Sequence, residues 1–176
     1  MAFKVFSIEI PEVLFIKSDK FYDDRGYFME LLKQSELKKI GIPDNFKQIN
    51  LSYSKKNVIR GLHYQYGEHA QGKLVHLVAG HVRDVFVDIR PESPTYKKVA
   101  WLELTGDDNT FIYIPPGFAH GFSVLSEEAH FLYACTEEYS KGSEGGVRFD
   151  DPSLDIDWGV EHPHVSQKDL ELPTLQ

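Results

Sequence analysis

Short runs of β-branched and aromatic residues, each closed by turn formers, constrain this chain's fold more than any other feature. The runs cover residues 13–18, 74–79, 82–90, 99–104, 111–114 and 129–136. Ala79-Gly80, Arg90-Pro91, Thr105-Gly106-Asp107-Asp108 and Pro115-Pro116-Gly117 separate them. Strands this short bury their apolar faces only against another sheet, so the spacing predicts an all-β sandwich or barrel. Within 83–90, Val85, Val87 and Ile89 point one way while Asp84, Phe86, Asp88 and Arg90 point the other. The face shared by Asp84 and Asp88 is either wet or lines a polar cavity. Residues 34–40 read as a short helix with Gly41 as its stop, and the segment from Asp150 onward reads as irregular with short turns. No repeat, low-complexity tract or linker divides the chain, which predicts a single domain over 1–176.

The formal net charge of -8 supplies no positive field for nucleic acid or an anionic membrane, although a few Arg and Lys can still hold one anionic small ligand. Cys135 is the one cysteine, which excludes an intrachain disulfide and a multi-thiolate zinc site. Residues 1–12 lack a signal-peptide pattern, and no run reaches the ~18 consecutive apolar residues of a membrane span. The expected compartment is the cytoplasm.

Three clusters carry chemistry. In Arg60-Gly61-Leu62-His63-Tyr64-Gln65, strand alternation places Arg60, Leu62 and Tyr64 on one face and Gly61, His63 and Gln65 on the other. A histidine facing into a barrel is a natural general base, and Lys73, one short loop later, can offer positive charge to a developing oxyanion. The alternative is a surface His and Lys flanking a loop. In the second cluster, Pro115-Pro116-Gly117 sets a rigid turn ahead of Phe118, His120 and Phe122. His120 there is either a hydrogen-bonded core residue or a site residue whose tautomer is held by Asp84 or Asp88. In the third, Tyr133 and Cys135 share a strand face and Tyr139 follows the strand end. Tyr133 is either a proton donor or a packing residue.

Together these clusters resemble the dTDP-4-dehydrorhamnose 3,5-epimerase family of the cupin class. The resemblance runs in order through Asp24-Arg25-Gly26-Tyr27-Phe28-Met29-Glu30, Gln48-Ile49-Asn50, the Arg60 and Lys73 segments, residues 84–90, residues 115–122, residues 133–139, Glu144, Asp150-Asp151-Pro152, Ile156-Asp157-Trp158 and Ser166-Gln167-Lys168-Asp169. It implies a cupin-type double-stranded β-helix, a jelly-roll barrel with short helices and an irregular C-terminal tail. It implies epimerisation at C3 and C5 of a nucleotide-linked 4-keto-6-deoxyhexose, without metal or organic cofactor, in a homodimer whose strands exchange across the interface. By the same resemblance His63 is the base, Tyr133 the acid on the opposite sugar face, Asp169 the partner of His63, and Lys73 the group beside the keto oxygen. Arg25, Phe28, Glu30, Gln48, Asn50, Arg60, His120, Tyr139, Glu144 and Lys168 match substrate-binding positions, and Asp84 supports His120. His76 and Ala134 depart from the family, standing where relatives often carry a basic residue.

Three other readings compete. Metal-binding cupins use a His-x-His pair, a Glu and a further His. Here Gln65 replaces the second His and Lys73 occupies the carboxylate position, which leaves too few ligands. A non-catalytic sugar-binding module has little need of His63, Lys73, Tyr133 and Asp169 together. A monofunctional 3- or 5-epimerase on a dTDP-, CDP- or GDP-linked sugar would share the same machinery.

Overall fold

The computed structural model describes residues 3–7, 10–43 and 45–175; the extreme ends of the 1–176 domain lie outside them. The elements in chain order are β1 (Lys4–Ser7), β2 (Leu14–Lys17), β3 (Lys20–Asp23), β4 (Gly26–Met29), α1 (Gln34–Lys39), β5 (Gln48–Lys55), β6 (Val58–Gln65), β7 (Lys73–Ala79) and β8 (His81–Asp88). There follow β9 (Val99–Thr105), β10 (Thr110–Ile114), β11 (Phe118–Val124), β12 (Glu128–Cys135), β13 (Glu144–Gly146), β14 (His164–Val165) and α2 (Gln167–Leu170).

Among the described residues one sheet runs β1-β2-β10-β7-β12-β5 and the facing sheet runs β13-β6-β11-β8-β9, with β14 joining β6 in parallel. Strands β5 to β12 therefore interleave as 5-12-7-10 and 6-11-8-9, the jelly-roll arrangement that the family resemblance implies. The β3–β4 hairpin forms a separate small sheet.

Phe15, Phe86, Phe131, Val75, Leu77 and Ile112 pack between the two sheets at one end of the sandwich. Each such side chain contributes about 1.5–3 kcal/mol on leaving water. The outer face of the first sheet is covered over Ile16, Leu74, Phe111 and Tyr113 by Leu37, Ile42 and their neighbours. The outer face of the second sheet, including Ile59, Leu62, Val85 and Val87, is covered by Val147, Leu154 and Trp158 from the last segment. That segment is more ordered than its composition suggests. Trp158 Nε1–H donates to the Phe149 carbonyl at 2.7 Å, the Ser123 hydroxyl donates to the Trp158 carbonyl at 2.5 Å, and β14 and α2 both fall within it.

Strand β6 corrects one sequence expectation. His63 pairs with His120 and Arg60 with Phe122, so three steps on β6 oppose two on β11. The extra residue falls at Gly61 and Leu62, a β-bulge that rotates Arg60 onto the same face as His63. Simple alternation had placed them on opposite faces. Gly61 has φ of 122°, and a Cβ there would lie 2.6 Å from Gly121 Cα. Only glycine fits that close approach.

Candidate active site

Between the two sheets, bordered by β5, β6 and β12, lies a cavity of about 1000 Å³. Phe122 and Phe131, stacked with centroids 4.5 Å apart, belong to both its wall and the core. Strand β5 supplies Gln48, Asn50, Ser52 and Ser54 to the wall, β6 supplies Arg60, His63 and Gln65, and β12 supplies Phe131, Tyr133 and Cys135.

Two imidazoles sit side by side on this wall, since His63 and His120 are register partners. His63 Nε2 lies 2.7 Å from Asp169 Oδ1, and Asp169 Oδ2 accepts the Gly61 N–H at 3.3 Å. Asp169 is itself held by Ser166, whose hydroxyl caps α2 and accepts the Asp169 N–H at 3.1 Å. Burial raises the Asp169 carboxyl, but the His63 contact, the Gly61 N–H and the Ser166 side chain outweigh it and leave it below the usual value. An ionised carboxylate only accepts, so it selects the His63 tautomer with hydrogen on Nε2 and a lone pair on Nδ1. The second imidazole makes the analogous contact, with His120 Nε2 2.6 Å from Asp84 Oδ1. Of the two acids that alternation placed together, Asp84 therefore serves the cavity. Asp88 is instead tied to Arg90, Ser93 and Thr95 at the strand end.

Tyr133 reaches the cavity from the opposite sheet, beside Cys135. Burial raises its phenol, and Cys135 adds to that, so the hydroxyl keeps its proton. Lys73 opens β7, is 9% exposed, and its Nζ donates to the His63 carbonyl at 3.1 Å. Burial lowers its ammonium, opposed by Cys135, Asp84 and Glu144. Base, donor and cation candidates thus share one chamber. The surface reading of His63 and Lys73 is excluded.

Residues 7–176 match the family model described as dTDP-4-dehydrorhamnose 3,5-epimerase. The dTDP-4-dehydrorhamnose 3,5-epimerase of Shigella flexneri is 46% identical over 167 residues, 94% of this chain and 92% of that one. The chain belongs to the dTDP-4-dehydrorhamnose 3,5-epimerase family. A crystal structure of the dTDP-6-deoxy-D-glucose-3,5-epimerase of Legionella pneumophila, in complex with dTDP-4-keto-L-rhamnose, superposes with a TM-score of 0.94 at 42% identity, covering 98% of this chain and 93% of that one. The Bacillus anthracis dTDP-4-dehydrorhamnose 3,5-epimerase, solved with TDP and PPi bound, gives 0.95 at 38% identity, with coverage of 99% and 100%.

The remaining positions matched to this epimerase family divide into two groups. One group lines the cavity. Arg60 is aimed by β5, its Nε donating to Ser54 Oγ at 2.8 Å and its Nη2 to the Tyr53 carbonyl at 3.1 Å. The Gln48 amide donates to Asn50 Oδ1 at 2.8 Å and accepts the Tyr139 N–H at 2.7 Å. At the mouth Glu144 accepts from the Tyr139 hydroxyl at 2.9 Å and from Lys168 Nζ at 2.6 Å. Burial raises the Glu144 carboxyl, yet Lys168 and Tyr139 bring it below its ordinary value.

The other group, Arg25, Phe28 and Glu30, lies outside the cavity. Arg25 and Phe28 are carried by the β3–β4 hairpin, where Arg25 pairs with Asp23 and Phe28 is exposed. Glu30 follows it, near Lys33. Among the described residues no three His, Cys, Asp or Glu side chains converge where a metal could bind.

Sequence reading gave Gln65 no role in the site. It is buried, donates to the His69 and Glu138 carbonyls at 2.7 and 3.2 Å, and accepts the Ser140 N–H at 2.8 Å. It therefore pins the loop bearing Tyr139. Ser166, quoted in the resemblance without a role, caps α2, and a Ser three residues before an acid is a helix-start signal.

Proposed function

We propose that His63, Asp169, Lys73 and Tyr133 are the proton-transfer machinery of this epimerase. The reaction converts dTDP-4-dehydro-6-deoxy-D-glucose to dTDP-4-dehydro-L-rhamnose by inverting C3 and C5. The C4 ketone acidifies the hydrogens on both carbons, because either carbanion delocalises onto O4 as an enolate. His63 removes the proton, the C–H electron pair moves toward O4, and Asp169 stabilises the imidazolium. Lys73 stabilises the oxyanion where its charge develops. Tyr133 returns a proton to the carbon from the other side, after which His63 releases its proton to solvent and Tyr133 regains one. One observation carries this reading: His63 and Tyr133 stand on opposing sheets of the same cavity. Arg60 and Lys168 supply charge for the diphosphate, and Tyr139 offers a ring to the base.

The biological unit we propose is a homodimer. The outer face of β5 leaves Ile49 65% and Leu51 63% exposed beside Tyr53 and Val78, and the hairpin exposes Tyr22, Tyr27 and Phe28. A second copy of the chain both covers these groups and brings Arg25, Phe28 and Glu30 toward a cavity that their own chain does not offer them. No helix among the described residues is long and apolar enough to cross a membrane, and the proposed compartment is the cytoplasm.

NMR of the 4-keto sugar nucleotide in deuterated buffer tests the chemistry. Deuterium is expected at C3 and C5 with inverted configuration. Exchange at one carbon would make the enzyme monofunctional, and binding without exchange would end the reading. Light scattering is expected to give twice the 20.2 kDa chain mass; a monomer would remove the dimer.

A further inference from the structure

We propose that Asp151 is a positioning residue for the epimerisation, acting by fixing the course of residues 148–175 that presents Asp169 to His63. The inference rests on the reading that Asp169 supports the His63 base. Asp169 belongs to α2, which spans only Gln167–Leu170. A helix of one turn cannot hold its own geometry in water, so its position is set by the chain on either side. Upstream, β14 pairs with β6, the His164 N–H donates to the Asn57 carbonyl at 2.8 Å, and Ser166 caps the turn.

Downstream, the chain returns to the start of the same segment. The Arg148 N–H donates to the Pro173 carbonyl at 2.9 Å, and the Leu175 N–H donates to Asp151 Oδ2 at 2.5 Å. Asp151 Oδ1 accepts both the N–H and the hydroxyl of Ser153 at 2.8 Å, which aims the carboxylate. Leu172 packs on Gly146, where an added Cβ would lie 2.6 Å from Leu172 Cδ1, so the returning chain lies against β13. The result is a loop closed on itself by a carboxylate, with α2 held within it.

Asp151 is buried and does not line the cavity, so it meets substrate only through this loop. Burial raises its carboxyl, and the Leu175 and Ser153 donors more than offset that. The clasp therefore stays ionised at neutral pH. A displacement of order 1 Å at a reacting group costs up to about 100-fold in rate, so a loosened clasp is read in turnover before it is read in folding.

The test compares Asp151→Asn in two backgrounds, wild type and Asp169→Asn, by deuterium exchange into the 4-keto sugar nucleotide. In the wild-type background Asp151→Asn is expected to lower kcat about 10-fold or more with KM changed less than about twofold. In the Asp169→Asn background the same change is expected to have no further effect, because the group it positions is gone. An unchanged kcat, or an equal proportional loss in both backgrounds, overturns the proposal. Should Asp151→Asn fold poorly, Leu175→Pro removes the donor N–H while leaving the carboxylate, with Leu175→Ala as control for the side chain. Loss in the proline variant alone supports the clasp, and equal behaviour of the two overturns it. If Asp169→Asn itself turns over normally, the reading of His63 and Asp169 fails. An inactive Asp169→Asn with an unaffected Asp151→Asn rejects only the clasp.

Discussion

The two histidine–carboxylate pairs use the same contact and are built in opposite ways. His120 and Asp84 come from adjacent strands β11 and β8, and their side chains are 9% and 0% exposed. His63 keeps 33% exposure, and its acid arrives from 106 residues away on a segment laid across the barrel. Asp84 Oδ2 has no hydrogen-bond partner among the described residues, whereas both Asp169 oxygens are bonded. The difference separates a fixed contact, suited to holding substrate, from an accessible imidazole with a fully supported carboxylate, suited to cycling a proton.

The largest expected break in this comparison is His63→Ala. Exchange at C3 and C5 should fall by about 1000-fold or more, against roughly 10- to 100-fold for His120→Ala, as read by NMR in deuterated buffer. Comparable losses would make the two imidazoles joint bases. Asp169→Asn comes next, with a loss of roughly 1000-fold in kcat from the wrong tautomer, while Asp84→Asn should lose only about 10-fold; steady-state kinetics with folding checked by circular dichroism measures both.

Tyr133→Phe should reduce inversion about 100-fold while proton removal, followed as deuterium wash-in with retained configuration, drops less than about 10-fold. Equal losses in the two would move the acid role to another group. The smallest effect concerns a third histidine, outside the cavity. Burial holds His76 below its ordinary 6.5, with Lys20 lowering it further, while the Thr110 carbonyl and Asp108 oppose. The unfolded chain therefore takes up this proton first as pH falls. The His76 contribution is complete above pH 6.5 and is lost as pH drops from there through the depressed folded value. Replacing His76, which stacks on Phe111 at 4.5 Å, by Leu should flatten the denaturation midpoint against pH below 6.5.

Much of the barrel was legible, because β7, β8 and β10 are short, almost continuously buried runs of β-branched and aromatic residues set off by turn formers. Strand β5 escaped for a physical reason. Gln48, Asn50, Ser52 and Ser54 face inward to the cavity, while Ile49, Leu51 and Tyr53 face outward, inverting the usual pattern. The bulge at Gly61 was equally hidden, since nothing local announces which residue a partner strand will leave unpaired. The individual site residues were readable by type, yet the pairing of His63 with Asp169 depends on a distant segment whose composition looks irregular.

The distance along the chain between His63 and its carboxylate has a consequence for biosynthesis. A ribosome delivers every strand of the jelly roll before it delivers Asp169. Under the role proposed for Asp169, the nascent barrel can close around its aromatic interior before the proton-transfer set is complete. A protease nick in the exposed stretch around Glu161 and His162 would leave a folded vessel whose acid partner had lost its tether on one side.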